Sequence, residues 1–278
     1  MKFQTIILEK RDRIATITLN RPERLNALNQ QIGEELAQAI EDVSQDDEIR
    51  VLLLTGKGNA FCAGADFQFG KIKAGEVSAA EAEAQAQGGA LAEIGQGKVL
   101  HKLSKGCILG LQNLDKPTIA MVNGDAVGAG FDLALACDMR IGSPKTRFMM
   151  AYTRMAVIPD LGGTWFLPRI VGVSKALELI FTADFCNAEE AYRIGILNKL
   201  VPVEQLEDET RALANKLAKG PPIAYRLSKL QVYKGLGMDL ETALISLAAW
   251  IPSCIASEDY KEAVTAFVQK RPPEFKGN

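Results

Sequence analysis

The chain contains a single histidine, His101, among 278 residues. That scarcity excludes His-rich metal centres and most histidine-based catalytic triads, which need at least one well-placed imidazole. Cysteine is sparse and unpaired in pattern. Cys62, Cys107, Cys137, Cys186 and Cys254 form an odd set with no C-x-x-C spacing, so no disulfide framework is expected and the thiols read as those of a reducing compartment. No run of about 18 apolar residues occurs, and MKFQTIILEK has neither the continuous apolar stretch nor the small-residue cleavage site of a signal peptide. The sequence therefore reads as a cytoplasmic protein with no membrane partner. Charge of one sign is also missing: 32 basic against 34 acidic residues leave a net charge of −2. Without a basic excess there is no electrostatic case for a nucleic-acid partner or an anionic membrane surface. Small molecules or copies of the chain itself remain, and catalysis, if present, must rest on carboxylates and backbone groups with no metal and no separate cofactor.

What is present is a globular composition, 47% apolar and 24% charged, long enough for one large domain or a domain with an appendage. Residues 3–9 and 13–19 are β-branched runs that predict a hairpin around EKRDR. From Asn26 a helical period places Leu28, Ile32, Leu36, Ile40 and Val43 on one face. VLLLT (51–55) and TIAMVNG (118–124) are apolar enough to be strands buried on both faces. Each leads into a small-residue loop. Residues 68–90, rich in Ala, Glu, Gln and Gly, predict an irregular excursion before a helix over 91–113. MRIGS and RFMMA predict short strands, and 174–194 two short helices. The alternation predicts an α/β core over 1–202 and an all-helical region over 203–278.

The two loops, Phe61-Cys62-Ala63-Gly64-Ala65-Asp66 and Gly124-Asp125-Ala126-Val127-Gly128-Ala129-Gly130, sit where strands end and helices begin. Small residues there let a ligand approach unpaired N–H groups, and two such groups aimed at one point can hold an oxyanion. Singly, such glycines are better explained as turn residues. Neither loop fits a nucleotide-phosphate motif.

Together with RPERLNALN (21–29), KPTIAMVNGDAVGAGFDLALACDMRI (116–141), IPDLGGTWFLPRIVG (158–172), AEEAYRIGILNKLVP (188–202) and SEDYKEAVTAFVQKR (257–271), the loops resemble the crotonase superfamily, the enoyl-CoA hydratases and isomerases, over nearly the whole chain. The resemblance implies a spiral of repeated ββα units with a C-terminal helical region that assembles trimers or dimers of trimers. It also implies an acyl-CoA thioester substrate, its coenzyme A portion being part of the substrate, with the thioester oxygen between two backbone amides. By motif position those amides are assigned to Cys62 and Ala129. The coenzyme A body is assigned to Arg24, Asn26, Ala27 and Leu28, to Ala63, Gly64, Ala65 and Asp66, and to Phe267 and Lys270 on the last helix, from a neighbouring subunit where subunits assemble.

Hydratases of the superfamily resemble one another in carrying a carboxylate three residues past the second oxyanion donor and another twenty further on. Here those positions are Asp132 and Tyr152. A tyrosine is a poor base near neutral pH, which disfavours ordinary hydration. A third acid, Asp160, follows Tyr152 by eight residues. Its separation from Asp132 resembles the acid pair of dienoyl-CoA isomerases, and PDLGGTWFLPR is similar to 1,2-epoxyphenylacetyl-CoA isomerases. Asp160 is therefore the expected base, Asp132 a second acid–base group, and Tyr152, Trp165 and Phe131 the expected pocket lining. Taken without the resemblance, Asp132 reads as a first-turn helix acid and Asp160 as a turn residue after Pro159. The expected activity is double-bond migration in an enoyl-CoA. Hydration of alicyclic or aromatic-derived CoA esters is the alternative within the family, and a non-catalytic CoA-ester-binding scaffold the alternative outside it.

Overall fold

The computed structural model describes residues 3–66 and 103–278. The expected excursion over 68–90, the helix expected over 91–113 as far as residue 102, and His101 fall outside the described residues. The N-terminal β-branched runs form β1 (Ile6–Arg11) and β2 (Ile14–Leu19), antiparallel from Ile6↔Leu19 to Arg11↔Ile14. Only Asp12 and Arg13 turn, at φ of 52° and 64°. Two successive positive-φ residues give a turn whose twist matches that of the strands, so pairing extends through most of the polar EKRDR stretch.

Beyond β2 the strands come in pairs, and the two members of each pair join different sheets. β3 (Val51–Gly56), β5 (Thr118–Val122) and β7 (Met139–Gly142) run parallel in a six-stranded sheet of order β1-β2-β3-β5-β7-β10, closed by β10 (Lys199–Leu200). β4 (Ala60–Cys62), β6 (Asp125–Val127), β8 (Arg147–Met149) and β9 (Cys186–Asn187) form the second sheet in that order. This is the spiral of ββα units that the resemblance implies. β3 is buried at every position, as its uninterrupted apolar sequence requires of a strand covered on both faces.

The first helix, α1 (Gln30–Gln45), is capped by Asn29, whose side chain accepts from the Ile32 amide at 3.0 Å. It buries Ile32, Leu36, Ile40 and Val43, the face read from the sequence. α2 (Leu109–Asn113) packs beside it. α3 (Ala129–Ala136) is buried along its whole length, consistent with a segment that is apolar around nearly its entire circumference. Its C-terminal carbonyls are met by the buried Arg140 guanidinium, which donates to the carbonyl of Cys137 at 2.7 Å and to that of Ala134 at 3.3 Å. α4 (Gly163–Val171), α5 (Val173–Thr182) and α6 (Ala188–Arg193) follow β8.

The boundary expected at residue 202 cuts through packing. α7 (Leu206–Ala218) lies on the outer face of the large sheet, where Leu206, Ala214 and Ala218 cover Ile14, Val51, Leu53, Ile119 and Ile141. It therefore belongs to the α/β core. α8 (Pro222–Gly235) is tied to that core through Asp138, which pairs with Lys229 at 2.9 Å and accepts from the Tyr233 hydroxyl at 2.9 Å. Of the remaining helices, α9 (Leu240–Ile255) buries none of its residues, whereas α10 (Glu258–Gln269) buries Asp259 and Ala266, and Asp259 accepts from the amides of Lys276 and Gly277.

Candidate active site

Both small-residue loops converge on the start of α3. Gly64, at φ 94°, is packed so closely that a Cβ there would fall 2.8 Å from the Val127 carbonyl oxygen and 3.7 Å from the Ala129 amide nitrogen. A Cβ on Gly130 would fall 2.2 Å from the Cys62 carbonyl oxygen. Glycine at both positions is a condition for the loops to meet.

The expected donor pair requires one correction. Cys62 ends β4, fully buried and paired with Ala126 of β6, so its amide lies within the sheet. Further along, the Ala63 amide donates to Leu25 O at 3.0 Å and the Asp66 amide to Leu28 O at 2.8 Å, while the Gly64 amide faces the Cys62 sulfur. Leu28 and Ala65 form a parallel bridge in which Leu28 makes both hydrogen bonds, the second from its amide to Gly64 O at 2.7 Å. The amide of Ala65 consequently points the other way. Ala65 is exposed, and its N–H meets no acceptor among the described residues. The unspent amide of this loop belongs to Ala65, three residues beyond the position read from the motif. On the second loop the Ala129 amide opens the first turn of α3, where helix N–H groups have no internal partner. Burial raises the Cys62 thiol to about 12, which removes it as a nucleophile.

Asp132 is one turn into α3, three residues beyond Ala129, and completely buried. The Tyr152 hydroxyl, from the 3₁₀ turn Ala151–Met155, donates to its Oδ2 at 2.5 Å. Oδ1 makes no hydrogen bond of ordinary geometry, although the Leu161 and Gly163 amides at the start of α4 lie near enough to favour its charge. A Cβ on Gly163 would sit 2.5 Å from that oxygen, so this glycine lets the helix approach the acid. Desolvation raises the Asp132 carboxyl to about 7, reinforced by the charge of Asp160 and opposed by the Tyr152 hydrogen bond. Asp160 itself is exposed, in the turn before α4, and approaches the same Tyr152 hydroxyl. Partial desolvation raises its carboxyl, with the tyrosine opposing. Desolvation first, and then the two carboxylates, drive the Tyr152 phenol upward, so it stays protonated. The Tyr152 ring lies against Gly128, 3.9 Å from where a Cβ would be, and therefore beside the Ala129 amide.

The raised acid has a consequence for stability. From its ordinary value of 3.8 to about 7, folded Asp132 holds a proton that the unfolded chain has released, so folding stability falls as pH rises through that window and stays low above it. Asp132→Asn never ionises and can still accept from Tyr152. Thermal unfolding should find it close to the wild-type protein at pH 4 and more stable, on the order of a few kcal/mol, above pH 7; a difference independent of pH would contradict the burial cost.

The other expected positions divide. Phe131 is not a pocket residue: it is 1% exposed and packs on Phe148 with ring centroids 4.8 Å apart, because in a helix buried on all sides its direction points into the core. Trp165 is half-buried on α4, edge-on to Phe166 and under the Arg169 guanidinium. Asn26 is fully buried with its polar atoms spent on the Arg21 amide and the Lys57 and Ala60 carbonyls, so its role is to fold the loop. Ala27 and Leu28 are buried, Arg24 is exposed, and Asp66 is held by Arg21 at 2.7 Å. The segments 24–28 and 63–66 do come together. Phe267, 85% exposed, and Lys270, which caps α10, make no hydrogen bond or ion pair with them among the described residues. No group of metal-ligating side chains occurs among the described residues.

A family model described as Enoyl-CoA hydratase/isomerase matches residues 9–278. The chain is 37% identical to a short-chain-enoyl-CoA hydratase of Clostridium acetobutylicum, with 98% of this chain and 97% of that one covered. It is 36% identical to the 1,2-epoxyphenylacetyl-CoA isomerase of Escherichia coli, with 95% of each covered. Among solved structures, an enoyl-CoA hydratase from Bacillus anthracis superimposes with a TM-score of 0.86 at 34% identity, covering 99% of this chain and 100% of that one.

Proposed function

Because the chain belongs to the enoyl-CoA hydratase/isomerase family, we propose that it is an enoyl-CoA isomerase in which one carboxylate moves a proton along the acyl chain. The observation that carries this reading is the asymmetry of the acids: Asp160 is exposed, Asp132 is completely buried, and Tyr152 stands between them with its phenol held protonated. Adding water needs one group to activate the nucleophile and another to protonate carbon 2. A single accessible carboxylate suffices for a 1,3-proton shift. In this reading the thioester oxygen accepts from the Ala65 and Ala129 amides, which stabilise the dienolate more than the starting ester. Asp160 removes a proton from carbon 2 and returns it at carbon 4.

Hydration is the second reading, favoured by the names of the most similar relatives. Water labelled with oxygen-18 separates the two. With trans-3-hexenoyl-CoA the expected product is the unlabelled 2-enoyl ester with no 3-hydroxyacyl ester; a labelled 3-hydroxyacyl-CoA as the first product would establish hydration.

Assembly of several copies is part of the proposal. α9 exposes Leu240 at 75% and Ile245 at 67%, with Leu244, Trp250 and Ile251 also uncovered, more contiguous apolar surface than a monomer ordinarily keeps. A second copy on this face would also let Phe267 and Lys270 reach a neighbour's coenzyme A. Sedimentation velocity at micromolar concentration should give a multimer that Ile245→Glu weakens; a wild-type monomer would remove this part of the reading.

A further inference from the structure

Asp132 is a puzzle if only the accessible carboxylate does chemistry. It is completely buried, one of its oxygens lacks a well-formed hydrogen bond, and the other takes a 2.5 Å bond from Tyr152. A buried carboxylate is costly to keep without a cation beside it, and among the described residues the titratable groups that shift it are Tyr152 and Asp160. Among the described residues Tyr152 is the one hydroxyl bonded to Asp132, and Asp160 approaches that same hydroxyl. The Tyr152 hydroxyl is therefore shared between an exposed acid and a sealed one.

We propose that Asp132 is a buried proton store, loaded and emptied by Asp160 through the Tyr152 hydroxyl. This rests on the isomerase reading above. Asp160 takes the proton from carbon 2, and the C–H electron pair passes into the dienolate. The Asp160 carboxylic acid then donates to the Tyr152 oxygen while Tyr152 passes its own proton to Asp132. Asp160 is left ionised, Tyr152 neutral and Asp132 protonated, and no proton or charge is created. The reverse transfer reloads Asp160, which delivers the proton to carbon 4. Tyr152 never becomes a phenolate, so its poor basicity is no obstacle: a relay needs a group that gives one proton as it receives another. Its value to the reaction lies in location. A proton resting on exposed Asp160 exchanges with water, whereas one resting on Asp132 does not.

The test follows deuterium from trans-3-hexenoyl-CoA labelled at carbon 2, in ordinary water, with mass spectrometry of the 2-enoyl product. The wild-type protein should retain a measurable fraction of the label at carbon 4. Tyr152→Phe keeps the ring and removes the relay atom; Asp132→Asn removes the store. Each should lower retention several-fold and kcat about 10- to 100-fold with KM within about twofold, and the double variant should be no worse than the poorer single. Complete loss of label in the wild-type protein, unchanged retention in the single variants, or multiplied losses of kcat in the double variant would each overturn the proposal. Should Tyr152→Phe fail to fold, as judged by binding of the CoA ester, the wild-type and Asp132→Asn retentions decide alone. Asp160→Asn distinguishes the two levels. If it isomerises normally, Asp160 is not the base and the store it would load fails with it; if it is inactive while the other two variants behave as wild type, the store alone fails.

Discussion

Asp160→Asn should lower kcat for double-bond migration by about 10³-fold, with binding of an enoyl-CoA ester unchanged within a few-fold. The amide matches the carboxylate in size but cannot take up a proton, while the Ala65 and Ala129 amides, the proposed donors to the thioester oxygen, are untouched. The residue is exposed, in a turn, so the substitution removes no core packing and should leave stability within about 0.5 kcal/mol. Losing its negative charge also removes one of the influences that raise the Asp132 carboxyl, so the buried acid should titrate lower in the variant. Steady-state turnover with trans-3-hexenoyl-CoA, together with calorimetric titration of the ester, separates the outcomes. Turnover within tenfold of wild type would show that the accessible carboxylate is not the base.

Which parts of this arrangement the sequence discloses follows from the range of the interactions involved. Strand pairs, the buried β3, the apolar face of α1 and the order of small-residue loops are written in local periodicity, and they are where they were expected. The proximity of Asp132, Tyr152 and Asp160 was also legible, but only because the motif spacing resembles a known family; residues twenty and eight apart have no local reason to meet. The unspent amide of the first loop was misplaced at Cys62 for a physical reason. Whether an N–H is free depends on which carbonyls its neighbours find, and Ala63 and Asp66 are satisfied by Leu25 and Leu28, almost forty residues away. The isolated bridge between Leu28 and Ala65 was the deciding contact, and nothing in either segment announces it. Phe131 failed in the opposite sense: an aromatic beside a catalytic motif suggests a pocket, but a helix with no polar face is enclosed on all sides, and burial overrules proximity. The boundary at 202 missed α7 because an amphipathic helix reads the same whether it covers its own sheet or stands in an appendage.

Gly64→Ala is expected to be nearly as damaging as loss of the base, by a different route. The position combines φ 94°, a conformation that residues with a Cβ rarely adopt, with a Cβ site 2.8 Å from the Val127 carbonyl oxygen and 3.7 Å from the Ala129 nitrogen. The contact is with backbone, which has no rotamer through which to yield, so the loop must withdraw from the start of α3. That motion increases the separation of the Ala65 and Ala129 amides, and the geometry of the pair is what makes it useful: each donor must lie about 2.7–3.1 Å from the oxygen as charge develops there. Misplacing one donor should cost about 10²–10³ in kcat, and the strained backbone about 1–3 kcal/mol of stability. Gly172 provides the control. It has φ 80° but nothing within 4 Å of a Cβ, so Gly172→Ala carries the conformational cost without the collision, and should lower the melting temperature while leaving kcat unchanged. Equal turnover in the two variants would mean that the approach of residue 64 to α3 has no part in catalysis, and the oxyanion site would have to be sought at other amides.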